Sequence, residues 1–130
     1  MSPFAAQTRE VDFLMRFFRQ LRLSKATGDY GPVEALIDPQ ASLTTKAGVA
    51  VGSKAVLQHL QEMGKQPYKM SLVAPKGGLL TVLVAPLANG GIPLDRGHEQ
   101  VYRILHDHLV ELIDIGRTPQ QVYRPESQPN

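Results

Sequence analysis

The feature that most constrains this chain is a change of hydrophobic period at Pro67. Before it, apolar residues recur every three or four positions; after it, they fall in short runs rich in leucine and β-branched residues. Helices therefore come first and strands follow. This order predicts an α+β fold, with N-terminal helices packed on one face of a curved antiparallel sheet of four or five strands.

The helical half reads in three pieces. Val11, Leu14, Phe18 and Leu21, widened by Met15 and Phe17, predict an amphipathic helix from Thr8 to about Lys25. Thr8 is its expected N-cap, Glu10 and Asp12 favour its positive start, and Gly28 stops it. Asp29 is expected to cap a short helix that carries Pro32 in its first turn and is stopped by Asp38-Pro39. A short strand, ASLTT, and a loop rich in Gly and Ala lead to a helix opened by Ser53 and ended by Gly64. Its buried side is Ala55, Val56, Leu60 and Met63, and His59 beside that stripe is placed in solvent.

In the second half, YKMSLVAP and LLTVLVAPLA flank Lys76-Gly77-Gly78 as a hairpin, and NGGIPLDRG is a long loop. The last hairpin is HEQVYRILHDHLVELIDIGR. Residues 118–130 hold three prolines and few apolar residues, which predicts a partly disordered C-terminal tail after a single domain over 1–117.

Composition removes several function classes. The 130 residues contain no cysteine, which excludes disulfides, thiolate metal sites and a cysteine nucleophile, and makes a cytoplasmic setting the default. The N-terminus has no signal-peptide pattern, and no apolar run approaches the ~20 residues of a membrane span. A formal charge of +2 gives no basic stripe for nucleic acid. Arg16, Arg19, Arg22 and Lys25 recur at threes on one helix face, which reads as a solvated face or an anion surface. No phosphate-loop or nucleophile-elbow pattern occurs. His106 and His108 have a chelating alternation with His98 as a third ligand, but a hairpin tip ordinarily carries solvated polar residues. No metal and no cofactor is expected.

The polar oddity is Asp114 in LVELIDIGR, a carboxylate between two isoleucines in a strand that reads as buried. Leu109, Ile113 and Ile115 alternate with Val110, Leu112 and Asp114, so both faces of this strand need cover. If helices cover one face, a second copy of the sheet is the economical cover for the other, which predicts a homodimer.

Together the first helix, ATGDYGPVEALIDPQASL, VGSKAVLQHL and LVELIDIGR resemble the nuclear transport factor 2-like superfamily over roughly Val11 to Arg117. The resemblance implies a cystatin-like α+β cone, in a group that includes SnoaL-like polyketide cyclases, ketosteroid isomerases and limonene-epoxide hydrolases. The isomerase positions fall at Leu21, Thr45 and near Gln100, none of which can do the isomerase's work. The hydrolase's arginine–aspartate pair is missing from YKMSLVAPKG. The acid of the closing strand does match, in the cyclase and hydrolase manner, and it lands on Asp114.

A last hairpin turning on Asp107 sets Asp114 opposite Gln100, Leu112 opposite Tyr102, and Val110 opposite Ile104, on what the resemblance implies is the concave side. Arg103 then faces Glu111 on the other side. A two-residue turn would instead oppose Asp114 to Val101 and Arg103 to Leu112, burying an unpaired arginine, and ranks second. The expected pocket is apolar, walled by Phe17, Leu21, Leu36, Leu60, Ile104 and Leu112, with His98, Gln100, Tyr102 and Asp114 as its polar minority. Desolvation is expected to raise the pKa of Asp114 and make it a catalytic acid or base, or else Asp114 accepts hydrogen bonds from Gln100 or Tyr102 and braces the sheet. Two functional readings follow. One is a SnoaL-like domain that binds a small hydrophobic molecule, with isomerase, cyclase or hydrolase chemistry on it. The other is a non-catalytic dimeric interaction or assembly module.

Overall fold

The structure, a computed structural model, describes residues 3–76, 79–88, 91–92 and 97–116. The C-terminal tail and the glycines of the Lys76-Gly77-Gly78 turn lie outside the described residues.

Helix α1 runs from Pro3 to Thr27, so Thr8, Glu10 and Asp12 lie within it and not at its start. It buries Phe13, Leu14, Phe17, Phe18, Leu21 and Ser24, a stripe at helical spacing. Met15 does not widen that stripe. It points away from it and is 64% exposed. Gly28 ends the helix at φ +82°, a left-handed conformation suited to glycine, with its N–H on the Ser24 carbonyl at 2.7 Å. The Asp29 carboxylate accepts from the Gly31 N–H at 3.0 Å and leads into a single turn, α2 (Gly31–Glu34), with Pro32 near its start.

Strand β1 (Ile37–Thr45) begins earlier than the sequence suggests, because Asp38-Pro39 sits inside it. Proline is tolerated there since the β1 register shifts between Ile37 and Ser42, where no ladder N–H is demanded of it. The segment read as a Gly/Ala loop contains strand β2 (Gly48–Val51), and α3 follows (Ser53–Met63). Val56, Leu57 and Leu60 are its buried residues, while Ala55 and Met63 are half-buried. Strands β3 (Tyr68–Lys76), β4 (Leu79–Pro86), β5 (His98–Leu105) and β6 (His108–Ile113) complete the chain.

The sheet has six strands in the order β2-β1-β6-β5-β4-β3, not four or five. It is mixed, because β1 and β6 pair in parallel while the other neighbours are antiparallel. Helices α1 and α3 cover one face. There Leu43, Leu80, Val82, Val84, Tyr102, Ile104, Leu109 and Leu112 form the core with the α1 phenylalanines, and Phe18 meets the Tyr102 ring edge-on at 5.4 Å. No helix among the described residues is long and apolar enough to cross a membrane.

The last hairpin combines the two registers that the sequence permits. Its turn is the two-residue kind, with His106 and Asp107 both at positive φ, so Leu105 pairs with His108 and Ile104 with Leu109. A bulge between Arg103 and Ile104 then restores the register in which Arg103 faces Glu111 and Tyr102 faces Leu112. Val110 therefore does not oppose Ile104, and Leu109 joins Leu112 and Asp114 on the core side.

Candidate functional site

Asp114 follows directly on β6, and its N–H donates to the Thr44 carbonyl of β1 at 2.8 Å, which aims the side chain toward α3 and β5. Four donors meet its carboxylate. His59 Nε2 of α3 and Gln100 Nε2 of β5 each lie 2.8 Å from Oδ2. His98 Nε2, at the start of β5, lies 3.1 Å from Oδ1, and the Gly116 N–H reaches the same oxygen at 3.3 Å. An ionised carboxylate offers about four acceptor sites and no donor, so this one is saturated and both imidazoles present Nε2–H to it.

Behind the carboxylate the polar chain continues into the core. Tyr102 Oη donates to Gln100 Oε1 at 2.6 Å, which turns the amide nitrogen toward Asp114, and that nitrogen also reaches the Met63 sulfur at 3.2 Å. Gln100 and Tyr102 are completely buried, and each side chain has its partners.

The expectation of a raised Asp114 pKa is overturned. Burial does push it upward, but the hydrogen bonds from His59, His98 and Gln100, joined by the charge of His98, outweigh burial and hold the carboxyl well below the ordinary range. Asp114 is 9% exposed, while the His59 and His98 side chains are 27% and 25% exposed. Solvent thus reaches the imidazoles and barely reaches the acid. The Tyr102 phenol is pushed well above its usual range, chiefly by burial, and stays a neutral donor.

Two cavities lie near the C-terminal end of α3, and one of them borders this cluster. A cavity of about 300 Å³ is bordered by His98, Met63, Gly97 and Gly116. One of about 650 Å³ opens between the C-terminal ends of α1 and α3 and the start of β3, with Leu21, Leu60, Tyr68 and Met70 among its walls. Gln66, Pro67 and Tyr68 line both and form the partition between them.

No protein-family model matches the sequence, and no curated protein does. Solved structures do match. A nuclear transport factor 2-like protein of unknown function from Mesorhizobium loti superposes with a TM-score of 0.59 at 14% identity, over 86% of this chain and 93% of its own. Another from Burkholderia xenovorans LB400 gives 0.56 at 15% identity, over 93% and 95%. A de novo designed protein with a curved β-sheet gives 0.59 at 14% identity, over 96% of both chains. The chain has the nuclear transport factor 2-like fold.

Within this cone the residues expected at the site fall into three groups. Asp114, Gln100, Tyr102 and His98 come together, as the first-choice register requires. Leu21 and Leu60 line the larger cavity. Phe17, Ile104 and Leu112 are packed in the core, Leu36 rests against it, and none of these four lines either cavity. His59 is not a solvent residue but a direct partner of Asp114. Its signal was present in the sequence, since it lies four residues from both Ala55 and Met63, on the flank of the buried stripe. His98, His106 and His108, whose spacing alone would allow chelation, are not brought together, because His98 stands at one end of β5 and the other two lie beyond its far end. Among the described residues no group of three or more His, Cys, Asp or Glu side chains is arranged to hold a metal ion.

Proposed function

We propose that this chain binds a compact, mainly apolar small molecule in the cavities beside α3, and that His98, oriented by Asp114, exchanges a proton with it. The observation that carries this reading is the saturated carboxylate behind a half-exposed imidazole that borders a cavity. Asp114 has no acceptor site left for a substrate proton, so it serves as a positioning residue. By accepting from Nε2–H, Asp114 fixes the orientation of the His98 ring at the cavity wall, and imidazole is the side chain whose charge ordinarily changes near neutral pH. The apolar walls at Leu21, Leu60 and Met70 suit a hydrophobic body fixed by few polar contacts.

The test is a thermal-shift screen against steroids, terpenoids, aromatic polyketide fragments and short fatty acids. A ligand at about 100 times its Kd adds roughly 2.7 kcal/mol of apparent stability. At least one class is expected to stabilise the wild type and to do so less in Leu60→Trp, and the pH dependence of its binding is expected to flatten in His98→Gln. Failure of every class overturns the reading.

A second reading concerns the sheet's outer face. Thr44, Ile113, Val101 and Thr81 pair in sequence across four strands as a half-buried, uncharged row, flanked by the Arg103–Glu111 pair. This row favours a homodimer through that face. Sedimentation at micromolar concentration is expected to give the dimer mass, and a monomer overturns it.

A further inference from the structure

The larger cavity is apolar in its walls and cationic in its charges. Leu21, Leu60 and Met70 supply the walls, Arg22, Lys25 and Lys65 the charges, and among the described residues none that lines it is acidic. The three cations are not equivalent. Lys25 Nζ donates to the Gly64 carbonyl, which ties α1 to the end of α3. Lys65 Nζ is 2.9 Å from Glu62 Oε2. Arg22 has no ion pair and no hydrogen bond among the described residues, so one positive charge at this cavity is uncommitted.

Tyr68 belongs to the same corner. Burial pushes its phenol up, and the Arg22 guanidinium is near enough to offset part of that shift, so a neutral O–H donor and a planar cation share one rim. A guanidinium presents paired N–H groups that match the two oxygens of a carboxylate. A single uncommitted cation matches a single negative charge better than a dianion.

We infer that the ligand of this site is an apolar carboxylic acid, its carboxylate held by Arg22 and Tyr68 and its body laid along Leu21, Leu60 and Met70. This rests on the small-molecule reading above and adds the ligand's charge class. The carboxylate lies at the rim because α1 places Arg22 one residue after Leu21: the leucine faces inward and the arginine flanks it, as successive helical positions must.

The experiment is calorimetric titration of the full chain with two matched pairs, 2-naphthoate against 2-naphthamide and octanoate against octanamide. Wild type is expected to bind at least one acid tenfold or more tightly than its amide. Arg22→Ala is expected to remove most of that preference and Tyr68→Phe part of it. Arg19→Ala, an identical charge change three residues away on α1 and outside the cavity lining, is expected to keep it. Equal affinity for acid and amide overturns the carboxylate inference and leaves the pocket reading standing. Equal loss in Arg19→Ala and Arg22→Ala also overturns it, since the preference would then reflect net charge alone. If no acid or amide binds, the carboxylate inference falls, and the thermal-shift screen decides the pocket reading separately.

Discussion

The Asp114 cluster and the rim of the larger cavity use polar groups in opposite ways. Around Asp114 each donor has met an acceptor, and the residues behind it are sealed from water. At the rim, Arg22 and Lys65 stand in solvent, and Arg22 has no acid of its own among the described residues. A satisfied buried network rigidifies and is costly to break, whereas an exposed cation adds little stability and remains available to bind something. The comparison teaches that the carboxylate which looks most like a catalyst in the sequence is the part most fully occupied with structure, while the cavity rim carries its charge at the surface.

The sharpest way to break this comparison is Asp114→Asn. The amide would turn donors toward donors, and we expect a loss of about 3 kcal/mol in denaturant unfolding, in line with removal of a buried, hydrogen-bonded charge. Loss below about 0.5 kcal/mol would mean the cluster is not the brace described here. Gln100→Leu comes next, at about 2 kcal/mol, because it strands the buried Tyr102 hydroxyl and takes one donor from Asp114. A double-mutant cycle with Tyr102→Phe should find the two effects coupled and not additive.

The acid range gives a further test. Because the folded-state pKa of Asp114 is lowered, the stability it contributes is fully present above its unfolded value near about 4 and is lost as pH falls below that value toward the folded one. Wild-type stability should therefore drop in that window, and Asp114→Asn should flatten the drop. The smallest effect belongs to the rim. Arg22→Ala should change unfolding free energy by no more than about 0.5 kcal/mol. A larger cost would place Arg22 among the structural groups and erase the contrast.

Much of the fold was legible. Helical spacing marked α1 and α3, Gly28 and Gly64 marked their ends, and the strand runs marked the two hairpins, though the two-residue turn of the last one ranked second. What stayed hidden was nonlocal. The parallel pairing of β1 with β6 joins segments far apart in the chain, and no local pattern announces it. Strand β2 was missed because GVAV between glycines reads as a loop until β1 supplies its partner. At the site, the opposition of Asp114 to Gln100 followed from counting, but the direction of the Asp114 pKa did not. Burial alone raises an acid, and the hydrogen bonds from His59 on a distant helix, His98 and Gln100 together reverse the sign. Gly97 illustrates the same limit, since it reads as one more loop glycine. In the fold it sits at φ +82° with the Val84 carbonyl where a Cβ would lie, so no side chain fits where the chain enters β5 beside His98.

The bulge in the last hairpin has a consequence for engineering. Because the register is reset between the turn and Tyr102, the pairing at the His106–Asp107 tip is offset by one residue from the pairing that sets Asp114 opposite Gln100. A residue added at the tip makes the number between Arg103 and Glu111 even, so a two-residue turn can close without the bulge while Tyr102 stays opposite Leu112. The tip is thus a natural place to graft a tag, a fluorophore or a split point while leaving the interior in register.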